Sequence, residues 1–427
     1  MVSVEDAWKE IFKKYDVINK IDKDGYFRIT AKQINEYKES RLMTKFDEHS
    51  QMPQIFRNNK MTIISDSRGS YIIGRFALFS SVNYKNTDDR PIEPVYLETL
   101  KIDDLYNESS SMLYAYNSNM MRELFGTNNV SFTSYGRMGA GTFSFLTDEI
   151  DKKGNPTGRK FTINANKPQI EIDGAFETEE SFFIVEAKNR YVEDINLRQI
   201  YYPYRLWSSK INKKVVPIFM VHSDKSFYFY VLAFDDEGDI NSVKIVKSYK
   251  FAPADEPITM VDVVNEFSKI TPSNHIHSNI FPQADKMEKI IDLLNLLNDR
   301  SDVTKDDITD YFEFDRRQTD YYLNAAAFLG YVTVIKRGPL SISKTGKNSM
   351  DKTIRERNID LIKAILEDDV FYQTFDYLLK NGDMPDKEYV ANLIRKYYPE
   401  IENKETPSRR AGTVVGWVKW ILNLTEP

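Results

Sequence analysis

The sequence predicts a multidomain α/β (α+β) protein whose mixed-sheet core lies between an N-terminal α+β domain and a C-terminal helical region. Its 427 residues exceed what one hydrophobic core usually serves, so several domains are expected. Strand-like and helical patterns alternate between about residues 110 and 255, and consecutive helical patterns follow from about residue 256. A hydrophobic fraction of 41% and an aromatic fraction of 13% indicate ordered domains rather than disordered segments.

The patterns predict four domains. Residues 1–105 mix short helical patterns with β-rich stretches and are expected to form an α+β domain, a candidate for DNA recognition. Residues 106–255 contain the strands and helices of the mixed sheet, beginning with a single helix over 109–126. Residues 256–350 contain three helical patterns and then a β wing, which is the plan of a winged helix-turn-helix. Residues 351–427 contain further helices and are a candidate second winged helix.

Composition and charge exclude several classes of function. The absence of cysteine excludes disulfides, thiolate nucleophiles and cysteine-ligated metal sites. No signal-peptide pattern and no stretch approaching about 18 uncharged apolar residues is found, so we expect a cytoplasmic protein without membrane contact. The net charge of −6 argues against a protein that coats nucleic acid indiscriminately. Residues 186–214 nevertheless carry seven basic against three acidic residues, which indicates a locally basic surface.

Four charged residues lie at the ends of two consecutive predicted strands. Side chains alternate between the two faces of a strand, so Glu171 and Asp173 project together from the first strand. Glu186 and Lys188 project together from the second strand, and a hairpin brings the two pairs into one cluster. Charges at the end of a run as apolar as residues 182–185 are costly unless they are paired or bind a metal. The sequence therefore predicts a functional cluster at this strand end.

The cluster has the residue types that phosphodiester hydrolysis requires. A hard cation needs oxygen ligands, and the attacking water needs a group that orients or deprotonates it. Asp173, a spacer of 12 residues and the triplet Glu186-Ala187-Lys188 resemble the signature of PD-(D/E)XK nucleases, although Ile172 stands where that signature has proline. The segments at 135–145 and 198–205 make the chain similar to type II restriction endonucleases within that superfamily.

The resemblance spans about residues 110–235 and implies a restriction-endonuclease-like mixed-sheet core. It implies that Asp173 and Glu186 ligate Mg²⁺, while Lys188 positions the attacking water and stabilises developing charge. Gln199, on the following helix, is implied as an auxiliary residue of the site. The implied function is site-specific hydrolysis of double-stranded DNA in a restriction-modification system. The implied partners are a second copy of the chain, at least on DNA, and a cognate DNA methyltransferase as a genetic partner.

Two acidic residues have alternative interpretations. Glu123 lies on the helix before the sheet, where many members of the superfamily add a carboxylate, but an acid on a helix usually belongs to a solvated face. Glu171 is either an acid that supports the catalytic residues or the exposed partner of a basic side chain. Two functional alternatives also stay open: a modification-dependent or repair nuclease of the same superfamily, and a non-catalytic winged-helix regulator. The intact charges at the strand end argue against the regulator.

Candidate DNA contacts fall in two regions. Arg137, Arg190 and Arg205 lie in or beside the predicted nuclease core and are candidate phosphate contacts, with a buried structural role as the alternative for the arginines that flank the site. The second region is the predicted winged helix, whose segment 316–330 resembles the C-terminal winged helices of such enzymes. Its arginine and glutamine side chains suit base edges in the major groove, unless they only cap or solvate the helix. The candidates in this region are Arg316, Arg317, Gln318, Tyr321, Lys336 and Arg337.

Overall fold

The chain forms two compact units, Met1–Ala252 and Pro253–Pro427, in a computed structural model. The first unit is mixed α/β with several sheets, and the second is mainly helical. The predicted boundary between residues 105 and 106 falls inside the first unit, and the one between residues 350 and 351 falls inside the second. The structure describes residues 3–93, 95–273, 280–333, 340–401 and 405–425.

The first unit contains both helices and strands, mostly in short runs of one type. Its elements are α1 at Val4–Tyr15, α2 at Val17–Asp24, β1 at Tyr26–Thr30, α3 at Ala31–Asn35, α4 at Ser40–Thr44, α5 at Gln54–Asn58, β2 at Thr62–Ser67, β3 at Ser70–Gly74, β4 at Phe79–Ser81, β5 at Asp88–Pro91, α6 at Glu108–Asn117, α7 at Met120–Phe125, β6 at Ser131–Gly139, β7 at Thr142–Ile150, β8 at Pro156–Asn166, β9 at Gln169–Glu177, β10 at Ser181–Lys188, β11 at Asp194–Asn196, α8 at Leu197–Ser208, β12 at Lys214–Ser223, β13 at Ser226–Phe234 and β14 at Val243–Ala252.

A mixed sheet of strand order β5-β14-β13-β12-β10-β9-β6 forms the centre of the first unit. Strand β10 is antiparallel to β9 and parallel to β12, and α8 connects the two parallel strands. A second sheet has the order β1-β3-β2-β8-β7, and β4 pairs with β11. Strands from both sides of the predicted 105/106 boundary therefore share sheets, which explains why the first unit is not divided there.

Strand β10 is buried on both faces because helices cover it from two sides. Phe182 and Ile184 belong to a cluster with Tyr202 of α8. Val185, which points to the other face, packs in a cluster with Met112 of α6. The sequence of a central strand that is covered on both faces is a continuous run of apolar residues, without alternation of apolar and polar residues. The charged residues that follow this run are consequently held in a largely dry environment.

The helix predicted over residues 109–126 is broken in the structure. Helix α6 ends at Asn117 and α7 begins at Met120, because Asn119 between them adopts a left-handed conformation with φ of 65°. Asparagine tolerates this conformation better than most residues. The break changes which side chains are buried: Met112 and Met121 lie in the core, whereas Leu113 is 45% exposed.

The second unit is built almost entirely of helices. Its elements are α9 at Met260–Phe267, α10 at Met287–Asp299, α11 at Lys305–Phe312, α12 at Arg316–Phe328, β15 at Val332–Thr333, β16 at Ser341–Ile342, α13 at Lys344–Met350, α14 at Ile354–Leu366, α15 at Asp369–Asn381, α16 at Lys387–Tyr397 and α17 at Glu405–Asn423.

One hydrophobic core joins the helices on both sides of the predicted 350/351 boundary. Trp417 of α17 is fully buried in this core. Its indole N–H donates to the carbonyl of Ala284 at 2.8 Å, and its ring stacks on Phe371 at 5.1 Å between centroids. Helices α10, α11 and α12 are followed by the antiparallel pair β15 and β16. Among the helices of the described residues, none combines the length and apolar composition needed to cross a membrane.

Candidate active site

The candidate site begins where β9 and β10 separate. The two strands pair as far as Val185 opposite Gly174. Asp173, which precedes Gly174 in β9, bonds to β10 through its side chain rather than its backbone. Its carboxylate oxygen Oδ2 accepts the N–H of Ala187 at 2.8 Å. A buried backbone N–H requires a partner, so this bond replaces the one that a continued ladder would have provided. It fixes one candidate carboxylate at the carboxyl end of β10.

Helix α6 approaches this strand end closely. A Cβ atom at Gly174 would lie 2.3 Å from Sδ of Met112, so only glycine permits the observed packing. The first residue of α6, Glu108, lies close enough to Asp173 for its charge to raise the pKa of that carboxyl. A second carboxylate is thereby placed beside Asp173 from the helix side of the sheet.

Two side chains donate to Glu186, and one of them also donates to Asp47. The Lys188 ammonium donates to Glu186 Oε1 at 2.8 Å, and Gln199 Nε2 of α8 donates to the same oxygen at 2.6 Å. The ammonium also donates to Oδ2 of Asp47 at 2.9 Å. Glu186, Lys188 and Asp47 are only 9%, 5% and 4% exposed. The structure thus brings together Asp173, Glu186, Lys188 and Gln199 and adds Asp47.

Burial controls the charge state of the two candidate metal ligands. It raises the pKa of Asp173 to about 6 and that of Glu186 to about 8, although the nearby Lys188 opposes both shifts. The charge of Asp173 adds to the rise at Glu186, since two neighbouring carboxylates disfavour double ionisation. Near neutral pH this pair therefore favours a bound proton or a bound cation.

The pKa shifts of Lys188 and Asp47 favour the charged form of each side chain, unlike those of Asp173 and Glu186. Burial lowers the pKa of Lys188, but the carboxylates of Asp47, Glu186 and Asp173 outweigh it and hold the pKa well above the usual lysine value. Burial likewise acts to raise the pKa of Asp47, but the charges of Lys188 and Lys45 hold it well below its usual range. The site therefore contains a permanent ion pair next to a carboxylate pair of adjustable charge.

The donor set fits a hard divalent cation. In the part of the chain that the structure describes, no hydrogen bond reaches Oδ1 of Asp173 or Oε2 of Glu186. Within the same ranges, no three His, Asp or Glu side chains form a ready ligand cluster. Mg²⁺ is commonly held by one or two carboxylates while waters and substrate phosphates complete its octahedron, so two oxygen donors of raised pKa suffice.

A buried polar group holds α6 to the end of β10. Asn189 follows Lys188 directly, and its Nδ2 donates to the carbonyl of Leu105 at 2.8 Å. Its Oδ1 lies 2.7 Å from Nδ1 of His222 and also accepts the hydroxyl of Ser111 of α6. Burial lowers the pKa of His222 to about 4, so the imidazole is neutral in the physiological range. These bonds hold the start of α6, and with it Glu108, against the end of β10.

Glu123 does not belong to this site. Its carboxylate pairs with Arg90 at 3.0 Å, and β5, which carries Arg90, is separated from β10 by three strands of the sheet. The expectation that Glu123 adds a carboxylate to this cluster is therefore wrong, and the helix carboxylate close to Asp173 is Glu108. The break after α6 is the physical reason, because it directs α7 toward the edge of the sheet at β5.

Glu171 lies on the surface. Its side chain is 57% exposed and pairs with Arg137 at 3.2 Å, directly across the β6–β9 ladder. Of the two interpretations offered above, the structure favours the exposed partner of a basic side chain. Arg137 is half exposed and remains a candidate phosphate contact near the site.

Arg190 and Arg205 have structural partners. Arg190 is 5% exposed and pairs with Glu48 at 3.5 Å. Arg205 donates to the Tyr201 hydroxyl at 2.8 Å and to the Glu237 carbonyl at 2.7 Å, and its guanidinium lies 5.2 Å from the centre of the Phe143 ring. These contacts favour the structural role for Arg190 and occupy donor groups of Arg205, and direct DNA contact by either arginine stays a prediction.

The candidates of the second unit lie at the start of α12. Arg316 is 82% exposed and pairs with Asp306 at 2.8 Å. Arg317 donates through Nε to the hydroxyl of Tyr321 and lies over its ring. Gln318 completes a capping box with Asp315, so its side-chain oxygen serves the helix start rather than an open surface. The wing candidates Lys336 and Arg337 lie outside the described residues.

Three family models match the chain, and each is described only as a domain of unknown function. DUF6996 matches residues 5–73, DUF6997 matches residues 74–252 and DUF7226 matches residues 289–426. No curated protein and no solved structure matches the chain. Asp47 falls within the first matched segment, whereas the residues of the β9–β10 cluster fall within the second. The chemistry of the site must therefore be argued from its geometry.

Proposed function

We propose that the chain is a Mg²⁺-dependent type II site-specific deoxyribonuclease of the PD-(D/E)XK superfamily. The observation that carries this proposal is the convergence of Asp173, Glu186, Lys188 and Gln199 at the end of one buried strand. Hydrolysis of a phosphodiester calls for oxygen ligands for a metal ion and for a positive charge near the phosphate. The two carboxylates meet the first need and the lysine ammonium meets the second, while the glutamine amide orients one carboxylate.

The surroundings of the cluster support the same superfamily. The catalytic strand β10 lies between an antiparallel hairpin partner, β9, and a parallel strand, β12, reached through α8. Helix α6 contributes the acid Glu108. Helix α8, between β10 and β12 in the chain, contributes Gln199. This is the mixed-sheet arrangement that the resemblance predicts for a restriction-endonuclease-like core.

Each residue has a defined task in the proposed reaction. Asp173 and Glu186 would hold the Mg²⁺, which supplies charge neutralisation and a bound water of lowered pKa. The Lys188 ammonium stabilises the negative charge that develops on the phosphate, and Gln199 fixes the orientation of Glu186 through Oε1. Oxygen of the attacking water forms a bond to phosphorus, the bond from phosphorus to the 3′ oxygen breaks, and that oxygen leaves with a proton. The products are a 5′-phosphate and a 3′-hydroxyl.

The second unit is proposed to bind the DNA. Three consecutive helices followed by the β15–β16 pair support a winged helix-turn-helix, with α12 as the helix for the major groove. Arg317 and Arg409 have uncharged described partners, the Tyr321 hydroxyl and the Gln283 amide, so their positive charge is available to phosphates. Arg410 lies near Tyr321, and its Nε is buried without a hydrogen-bond partner among the described residues.

A digest of long unmethylated DNA tests the proposed function. The wild type is expected to give discrete fragments with Mg²⁺ and none with EDTA, and Asp173→Asn to give none in either condition. Glu171→Gln is the matched control, because it changes an exposed acid two residues away on the same strand. Cleavage of methylated but not unmethylated DNA would favour a modification-dependent nuclease. Binding without cleavage of either DNA would contradict the nuclease proposal.

The remaining partners follow from the same proposal. Cutting both strands calls for two active sites, so a homodimer on DNA is expected, and a cognate methyltransferase would protect the host genome. Sedimentation with and without a cleavage-site duplex, in Ca²⁺ to prevent turnover, tests the dimer. A mass that stays monomeric on DNA would contradict it.

A further inference from the structure

We propose that Asp47 is a positioning residue of the active site, which holds the Lys188 ammonium in its working position. This inference rests on the proposed nuclease function, but the interaction itself can be tested without turnover. It makes the N-terminal part of the chain a contributor to the catalytic centre rather than a separate DNA-reading domain.

The geometry of the ion pair is the first support. Asp47 Oδ2 lies 2.9 Å from Lys188 Nζ, and the two side chains are 5% and 6% exposed. A charged hydrogen bond in such a dry environment is strong, and leaving either charge alone would be costly. The second partner of Nζ is Glu186 at 2.8 Å, so two carboxylates define the direction of the ammonium.

The two carboxylates are not equivalent partners. Glu186 Oε1 also accepts Gln199 Nε2 at 2.6 Å, and Glu186 is a proposed ligand of the cation. Asp47 is not a proposed ligand of the cation, and its Oδ2 accepts from the lysine. Asp47 therefore holds the lysine independently of what Glu186 binds.

The segment that carries Asp47 is fixed by the residues that follow Lys188. The backbone N–H of Asn196 donates to the Asp47 carbonyl at 3.1 Å, and its side chain donates to the Phe46 carbonyl at 3.0 Å. The N–H of His49 donates to Asp194 at 2.8 Å. Anchors on both sides of Asp47 favour permanent positioning over a clamp that swings away from the lysine.

The site is therefore composite. Asp47 belongs to the segment matched by one family model, and Lys188 belongs to the segment matched by another. Their contact spans 141 positions of sequence. The structure assigns the two segments to one catalytic unit.

The activity test compares Asp47→Asn with Glu48→Gln in the full chain. Glu48 is an equally buried neighbour that contacts Arg190 instead of Lys188, so it controls for disturbance of the segment. Asp47→Asn is expected to lower the single-turnover cleavage rate by about 10- to 100-fold with DNA affinity in EDTA unchanged, whereas Glu48→Gln keeps the wild-type rate. Formate is expected to restore part of the activity of Asp47→Ala, and an equal concentration of chloride is not.

Two results of this test would overturn the inference. A wild-type rate in Asp47→Asn would show that Glu186 alone positions the lysine. A faster rate in Asp47→Asn would show that the carboxylate restrains the lysine instead of positioning it.

A nuclear magnetic resonance measurement keeps the inference testable when a variant is inactive or unstable. The buried ammonium of Lys188 should give a slowly exchanging ¹H–¹⁵N signal in the wild type, which Lys188→Gln removes and Asp47→Asn shifts or broadens. An unchanged signal in Asp47→Asn would contradict the inference, and so would the absence of a signal that depends on Lys188. If the signal depends on Asp47 but the wild type cleaves no DNA, the nuclease proposal fails and the ion pair stands.

Discussion

Asp173 accepts the backbone N–H of Ala187 at the residue where β9 stops pairing with β10. This bond links the local fold directly to the candidate chemistry. The strands must separate for the carboxylate to enter, and the carboxylate in turn satisfies the N–H that the separation leaves exposed. The hydrogen bond uses Oδ2, so in the proposed function Oδ1 of Asp173 is the oxygen that would hold a cation together with Glu186.

The raised carboxyl pKa values predict that stability falls as pH rises. A carboxyl group whose folded pKa is raised contributes stability that is complete below its unfolded pKa and is lost as pH rises through the folded pKa. For Asp173 and Glu186 the loss therefore extends through about pH 6 and about pH 8. In EDTA, we expect the free energy of unfolding to fall by on the order of 1 kcal/mol per pH unit for each titrating group, up to about pH 6 for Asp173 and up to about pH 8 for Glu186, and to level off at higher pH.

Denaturant unfolding of the wild type and Glu186→Gln at several pH values measures this dependence. The variant should lose the part of the slope above about pH 6, since its side chain does not titrate. Asp368 of the second unit also has a pKa raised to about 6 and contributes a slope of the same sign, which Glu186→Gln leaves in place. Equal slopes in the two proteins would contradict the assignment of Glu186.

Added Mg²⁺ should stabilise the protein more at high pH than at low pH. Protons and cations compete for Asp173 and Glu186, so the cation gains affinity as pH rises through their pKa values. The shift in melting temperature caused by Mg²⁺ should be small near about pH 5 and grow toward about pH 8. Glu186→Gln should remove most of it, whereas a shift that is independent of pH or retained in this variant would place the cation elsewhere.

Gly174→Ala should destabilise the first unit because of its contact with α6. The new Cβ would approach Met112 Sδ to 2.3 Å, which requires the helix or the sulfur to move. Overpacking of this kind costs about 1–3 kcal/mol. The double variant Gly174→Ala/Met112→Ala should recover part of that loss, as a double-mutant cycle on denaturant midpoints would show. Additive losses would contradict a direct contact.

The arginines near Tyr321 should set the salt dependence of DNA binding. Arg317→Ala and Arg410→Ala are each expected to weaken binding and to lower the slope of log affinity against log salt by about 1, the contribution of one phosphate contact. Lys380→Ala is the matched control, since this exposed lysine of α15 pairs with Asp376 and is not a candidate DNA contact. Fluorescence anisotropy in EDTA measures all three variants. A slope unchanged in Arg317→Ala and Arg410→Ala would place the DNA on another surface.

The central cluster could be predicted from sequence because its signals are local. Asp173, Glu186 and Lys188 lie on adjacent strands of one hairpin, where the alternation of side chains and a short spacer determine their positions. Gln199 was predicted from the resemblance of its helix. The mixed sheet followed in the same way from alternating strand and helix patterns.

Asp47 could not be predicted, because an ion pair between residues 141 positions apart leaves no periodic pattern in either segment. Glu108 had a usable signal, since an acid after an asparagine cap is typical of the first turn of a helix. The resemblance instead favours Glu123, on the single helix predicted over residues 109–126. The left-handed Asn119 that breaks it has no strong signature in the sequence.

Ligation of the reaction products tests the central claim most directly. Long unmethylated DNA is digested with the wild type and Mg²⁺, and the fragments are treated with DNA ligase without prior kinase or phosphatase treatment. The account predicts discrete fragments that religate, because its reaction leaves 5′-phosphate and 3′-hydroxyl ends, and no fragments from Asp173→Asn, Glu186→Gln or Lys188→Gln. Intact DNA from the wild type, or equal fragments from these three variants, would contradict it.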